Sequence, residues 1–142
     1  MPTKSQILRK EQVLSDLLKT RQAILAEAAN LSDEQQSQVF LGIWSIKDLL
    51  AHLIGWDITN RKAVRSVLHG KVPDFYKHYD REWQEYNAIL VRKYKRDSSK
   101  ELLAEARESQ EQLLDFLTTI PPEKFNKDFG VRFRGYKIFD IH

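Results

Sequence analysis

Apolar side chains recur every three or four positions over most of this 142-residue chain, and this spacing is typical of amphipathic helices that pack against one another. The pattern predicts helices over residues 5–30, 46–69, 80–96 and from 98 to the prolines at 121 and 122. Two pairs have capping-box spacing at the starts of the second and fourth helices: Ser45 with Asp48, and Ser98 with Glu101. Residues 130–138 alternate in polarity and are the nearest candidate for an extended segment. We therefore predict an all-α fold.

The composition indicates one domain spanning residues 1–142. The absence of cysteine excludes disulfides, thiolate metal sites and cysteine catalysis, and is compatible with a reducing cytoplasm. The N-terminal residues lack the apolar core of a signal peptide, and no apolar run is long enough to cross a membrane. The 23 lysines and arginines are mixed with 20 acidic residues, so the net charge of +3 does not indicate a nucleic-acid partner. We expect a cytoplasmic protein with neither a membrane nor a nucleic-acid partner.

His52 is the strongest candidate for chemistry, because it lies on or beside the inward stripe of the second predicted helix. Leu49, Leu53 and Trp56 occupy that stripe at spacings of three and four. An imidazole in this position is either a hydrogen-bonded core histidine, a metal ligand or an acid–base group. Asp48, one turn earlier, either orients the ring or only caps the helix, and we favour the cap.

Two stretches of the chain resemble the DinB-like superfamily, and within it the ClbS/DfsB type of protein. The matching residues around the second helix are Trp44, Ser45, Leu49, Leu50, His52, Leu53, Gly55 and Trp56. Those downstream are Asp80, Trp83, Tyr86, Asn87 and Ala88, which look like a short helix in the crossover after helix 2. The resemblance implies a four-helix bundle.

The resemblance also implies a divalent metal, Ni²⁺ or Zn²⁺, held by one histidine of helix 2 and two ligands of the last helix. Of these ligands only His52 has a counterpart at its position in this chain. Residues 137–142 look like the first turns of that last helix, so we expect it to begin there and to be truncated. His69, beside Gly70, is instead predicted to satisfy a carbonyl at a helix end, and His78 falls in a predicted loop.

Core packing alone would explain Trp56 and Trp83, since large aromatic residues dominate burial in a small protein. By resemblance, these two residues join Tyr86 and Asn87 in a pocket around His52. An amide on an apolar stripe, such as that of Asn87, also requires a polar partner. The resemblance allows a metal-assisted hydrolase or thiol transferase acting on a reactive small molecule in this pocket. The alternative is a non-catalytic helical protein that binds a small molecule or forms a homodimer.

Overall fold

The computed structural model describes residues 1–41, 44–74, 83–125, 127–133 and 136–139. Within these residues the chain forms five α-helices: α1 (Lys4–Ala29), α2 (Asp33–Ser37), α3 (Ile46–Leu68), α4 (Trp83–Tyr94) and α5 (Ser99–Thr118). Two antiparallel strand pairs accompany them: β1 (Val39–Leu41) with β2 (Trp44–Ser45), and β3 (Asp128–Phe133) with β4 (Tyr136–Phe139). A short 3-10 helix, Pro122–Lys124, follows α5. The architecture is therefore the predicted all-α bundle with two small β-hairpins added.

Side chains that cap the helices account for where they begin. Thr3 forms a capping box with Gln6 at α1, which the sequence analysis did not identify, and Ser45 forms the predicted one with Asp48 at α3. Ser98 accepts a hydrogen bond from the Glu101 backbone N–H at 3.3 Å, so it caps α5, but the described contacts include no return bond from the Glu101 side chain, and the predicted capping box is only half formed. The predicted first, second and fourth helices are confirmed to within about two residues, the usual uncertainty of a helix boundary.

Helix α3 lies at the centre and packs against both α4 and α5. One core cluster joins the four long helices: Leu25 and Ala28 of α1, Leu50, Ala51 and Ile54 of α3, Val91 of α4, and Leu102 and Ala106 of α5. A second cluster lies around Val64, Leu113, Leu117, Ile120 and Phe125. These buried apolar faces supply most of the favourable free energy of folding.

Gly55 sets the close approach of α3 to α4. A methyl group at this position would lie 2.8 Å from Cβ of Leu90, which is closer than side-chain carbons pack. The absence of a side chain at Gly55 therefore allows Leu90, itself 5% exposed, to press against the α3 backbone.

Lys47, in the first turn of α3, bonds to α2 and to the segment before α5. Its ammonium donates a hydrogen bond to the Asp97 carbonyl and forms a 3.2 Å ion pair with Asp33 of α2. The same Asp33 carboxylate accepts a hydrogen bond from the Ser99 backbone N–H at 2.9 Å. The Lys47 side chain is 7% exposed, so this amine is enclosed by its own partners.

The prediction that residues 137–142 begin a helix is wrong for 137–139, which belong to β4; residues 140–142 lie outside the described residues. Here the backbone pairs antiparallel with β3, Arg132 opposite Lys137 and Phe133 opposite Tyr136. The alternating polarity noted over residues 130–138 is the strand period, and pairing satisfies backbone groups that an uncapped first turn would leave open. The weaker prediction of an extended segment in this region is the correct one.

Helix α4 ends at Tyr94 rather than at residue 96, and residues 80–82 of the third predicted helix lie outside the described residues. The pairing of β1 with β2 was not predicted. Across the described ranges, no helix combines the length and the apolar character needed to span a membrane.

Candidate functional site

His52 lies between two indole rings. Trp44, in β2 just before the α3 cap, has its ring centroid 4.8 Å from that of His52. Trp56 follows His52 by four residues on the same helix, and their ring centroids are 6.3 Å apart in an edge-on arrangement. The spacing within α3 therefore sets one contact, and the β2 strand that leads into α3 sets the other.

The His52 imidazole is half-buried, and its Nδ1 atom is fully buried without a hydrogen-bond partner in the described part of the chain. Burial lowers the pKa of His52 below its ordinary value of 6.5, since desolvation disfavours the charged ring. The side chain is therefore a neutral imidazole at neutral pH. An unpaired buried polar atom costs about 1–3 kcal/mol, so the interpretation of His52 as a satisfied core histidine is not what the structure shows.

Residues of α4 extend this aromatic group. The Trp56 indole N–H donates to the Asn87 side-chain oxygen at 2.8 Å, which gives the Asn87 amide the polar partner that its position requires. Tyr86 packs edge-on against Trp56 at 5.5 Å, and its hydroxyl lies 2.8 Å from that of Thr59. Trp83 begins α4, but its side chain lies outside the described part of the structure.

The group defined by Trp44, His52, Trp56, Tyr86 and Asn87 is referred to below as the His52 cluster. The structure brings three of the predicted pocket residues, Trp56, Tyr86 and Asn87, into one chain of contacts that leads to His52. Trp44 is a member that the pocket prediction missed, although the resemblance already included it. Helical spacing could not have indicated it, because Trp44 lies in β2, before α3 begins.

Asp48 serves as a cap. Its carboxylate accepts hydrogen bonds from the Ser45 backbone N–H at 2.9 Å and from the Ser45 hydroxyl at 3.1 Å, and Lys95 lies 2.9 Å from its other oxygen. Burial acts to raise the pKa of this carboxyl, but the Ser45 hydrogen bonds and Lys95 outweigh it, so the pKa lies below 3.8. Among the described contacts none joins Asp48 to His52.

A buried ion pair lies one residue from the cluster and was missed by the sequence analysis. The Arg21 guanidinium of α1 binds both carboxylate oxygens of Asp57 at 2.7 Å, and the Ser109 hydroxyl of α5 donates to the same carboxylate at 2.6 Å. Arg21 also donates to the Ala106 carbonyl at 3.1 Å. The available signal was that Arg21, Asp57 and Ser109 occupy inward positions of three different helical stripes. This network joins α1, α3 and α5 directly beside Trp56.

The described residues do not fit a divalent metal centre. A zinc or nickel site requires about three protein ligands, and no group of three histidine, aspartate or glutamate side chains comes together in the described ranges. His69 caps α3, and its Nδ1 lies 2.7 Å from the Arg65 carbonyl, as predicted for a helix end. His78, which falls in a predicted loop, lies outside the described residues. The described site is therefore one imidazole among aromatic rings and an amide.

A sequence model of the DinB superfamily matches residues 16–138, which include all of the His52 cluster. No curated protein and no solved structure matches the chain.

Proposed function

Because the chain belongs to the DinB superfamily, we propose that it binds a small reactive molecule at the His52 cluster, where the neutral imidazole acts as a general base in hydrolysis. Within the superfamily we infer the ClbS/DfsB type from the Trp44–Trp56 stretch. The buried Nδ1 of His52, which has no partner in the described ranges, is the observation that carries the proposal. A polar group of a ligand that reached this atom would recover the free energy lost by leaving it unpaired.

The aromatic members of the cluster determine what kind of molecule fits. Two indole rings, whose centroids lie 4.8 Å and 6.3 Å from that of the imidazole, make the surroundings of His52 mostly apolar, which favours an apolar group next to a single polar function. The Asn87 side chain accepts the Trp56 N–H at 2.8 Å, which fixes the orientation of that indole. The site therefore favours an uncharged electrophile, such as an ester or a strained acyl compound, over a multiply charged one.

The proposed step is a proton transfer coupled to attack by water. As the water oxygen forms a bond to the electrophilic carbon, the neutral imidazole takes one proton from that water. The bond to the leaving group then breaks, and the imidazolium returns the proton to the departing atom. Because burial lowers the pKa of His52 below 6.5, the imidazole is unprotonated at neutral pH, as a general base must be.

The test uses para-nitrophenyl acetate as a generic activated ester. We expect the wild-type protein to hydrolyse it faster than free imidazole at equal concentration, and His52→Ala to lower kcat/KM about a hundredfold. His69→Ala is the matched control, since His69 is an exposed histidine that caps α3, and it should retain wild-type activity. His52→Gln, which keeps a polar side chain, guards against loss of folding, and circular dichroism should show wild-type helicity in each variant. Equal rates for wild type and both His52 variants would refute the catalytic role.

The divalent metal implied by the superfamily is tested separately by equilibrium dialysis against Ni²⁺ and Zn²⁺. Among the described residues only His52 is a candidate ligand, so we expect His52→Ala and His69→Ala to have the same affinity for either metal. Tight binding that depends on His52 would mean that residues outside the described ranges complete a centre with it. Hydrolysis would then be measured again with the metal present.

The second candidate is a non-catalytic protein that self-associates through α1. Four apolar residues of this helix are 38–55% exposed: Ile7, Leu8, Leu17 and Leu18. Burying these side chains against another surface would be favourable, and a second copy of the chain is the simplest such surface. Light scattering over a range of concentrations should show a dimer that Leu8→Lys with Leu17→Lys dissociates, and a monomer at all concentrations would remove this candidate.

A further inference from the structure

The second halves of α3 and α4 enclose a cleft of about 460 Å³ that the function proposed above does not use. This volume falls in the range of roughly 300–1,000 Å³ typical of small-molecule sites. Apolar side chains from both helices line it, namely Ile58, Ala63, Ile89 and Leu90. The cleft can therefore bury an apolar body the size of one aromatic ring with a short chain.

Two cations lie at this cleft, one from each helix. Lys62 of α3 and Lys93 of α4 both line it and are exposed, and neither has an ion-pair partner in the described ranges. The Lys93 ammonium instead lies 5.4 Å from the centre of the Tyr94 ring. Asp74 is the acidic residue of the lining, so the charge on the described lining residues is positive. An anion at the mouth would meet two ammonium groups and one carboxylate.

Neutral hydrogen-bonding groups complete the lining. The Ser66 hydroxyl lines the cleft, and the paired hydroxyls of Thr59 and Tyr86 lie 2.8 Å apart on its wall. Hydroxyl groups can donate to a carboxylate without the cost of burying another charge. The arrangement combines an apolar floor, cations at the mouth and a few hydroxyls, which is the pattern of a site for an amphipathic anion.

From this geometry we propose that the α3–α4 cleft binds a small amphipathic monocarboxylate, with its apolar body against Ile58, Ala63 and Leu90 and its carboxylate between Lys62 and Lys93. The proposal goes beyond the proposed function and does not depend on chemistry at His52. Tyr86 is the residue common to both, because it contacts Trp56 and also lines the cleft. A ligand in the cleft would therefore contact one member of the His52 cluster.

The test uses phenylacetate, with the uncharged phenylacetamide as its matched analogue. We expect saturable chemical-shift changes in ¹⁵N-labelled full-length protein, confined to α3 and α4, with a millimolar dissociation constant for phenylacetate. The amide should bind several-fold more weakly. The variant Lys62→Gln with Lys93→Gln should weaken phenylacetate binding about fivefold, since each exposed ion pair contributes little. In this variant phenylacetate and phenylacetamide should have similar dissociation constants.

Controls separate this proposal from the function proposed for His52. Lys19→Gln with Lys100→Gln removes two exposed cations that do not line the cleft, and it should leave binding unchanged. His52→Ala should also bind phenylacetate like the wild type, whatever its effect on ester hydrolysis. Ala63→Phe should abolish binding by filling the cleft. Equal affinity for acid and amide, unchanged affinity in the paired Lys62 and Lys93 variant, shifts on another face, or no binding would each overturn the proposal.

Discussion

Arg21, Asp57 and Ser109 show how much a few polar side chains can contribute inside an otherwise apolar bundle. Asp57 is 5% exposed, and its carboxylate receives two hydrogen bonds from Arg21 and one from Ser109. Charge-assisted bonds of this kind offset the cost of removing both ions from water only while every partner remains. The network therefore makes the correct alignment of α1, α3 and α5 strongly preferred over misaligned packings.

Replacing Asp57 by alanine should lower the free energy of unfolding by about 3–5 kcal/mol, because it leaves the Arg21 guanidinium buried without a counter-ion. Ser109→Ala should cost less, about 1.5–3 kcal/mol for one hydrogen bond to a charged group. Urea denaturation followed by circular dichroism measures both. Glu105→Ala, which removes the half-exposed partner of Arg96, is the control and should change stability by less than about 1 kcal/mol. An Asp57→Ala protein as stable as the control would contradict this account.

His52 should make stability depend on pH in the weakly acidic range. Burial lowers its pKa in the folded protein below 6.5, so between these two values the unfolded chain binds a proton that the folded one does not. The free energy of unfolding should therefore fall as the pH falls from 6.5 to the folded pKa, and the loss should be complete below it. The carboxyl of Asp48 acts in a separate window, since its pKa lies below 3.8.

The measurement is urea denaturation from about pH 8 to about pH 5, the range in which histidine titrates. His52→Gln should flatten the decline, and His69→Gln should leave it as in the wild type. A decline that is the same in the His52→Gln protein would assign the effect to another group. Nuclear magnetic resonance of the His52 ring should independently give a pKa below 6.5.

At the scale of elements, the contact of α3 with α4 depends on a missing side chain. Gly55→Ala would place a methyl group 2.8 Å from Cβ of Leu90 and should cost about 1–3 kcal/mol through overpacking, partly offset by about 1 kcal/mol of improved helix propensity. Thermal denaturation should show a lower Tm. Asn60→Ala, at an exposed position of α3, gains the propensity without the clash and should not lower it.

A double variant distinguishes the clash from other effects of Gly55→Ala. In a Leu90→Gly background the Cβ and both Cδ atoms nearest the added methyl group are gone, so Gly55→Ala should be neutral or stabilising there. Additive losses in the double variant would show that the two positions do not interact.

The helices were predictable because their signals are local. Ser45 with Asp48 and the three- and four-residue spacing specify the start and the inward face of α3 without reference to the rest of the chain. The strand pairs were harder, since β1 and β2 comprise only three and two residues and a short strand is defined by its partner. A helix was expected at β4, but this segment pairs with β3 instead. The alternating polarity of the sequence around Lys137 is typical of a strand.

At the scale of the whole molecule, the contacts within one helix of the candidate site were predictable from the sequence, whereas the contacts between helices were not. His52 and Trp56 are four residues apart on one helix, so their proximity follows from helix geometry alone. The hydrogen bond from Trp56 to Asn87 spans 31 residues, and the pair of Arg21 with Asp57 spans 36. Which inward polar residues meet across a bundle depends on the rotation of each helix, which a single sequence does not specify. The resemblance included Asn87, whereas the inward position of Arg21 did not indicate which residue it would meet.

Because the Lys47 amine is enclosed, its rate of chemical modification should report local opening of the structure near the His52 cluster. Acetylation by acetic anhydride requires an accessible, unprotonated amine. Brief treatment should therefore modify the exposed Lys62 and Lys93 and spare Lys47. Mass spectrometry of peptides would measure the modification of each lysine. Asp33→Ala removes one of the groups that hold the amine and should speed its labelling relative to those two lysines. A ligand that had to part α2 from α3 to enter would accelerate this reaction, whereas one that enters from the α4 side would leave Lys47 protected.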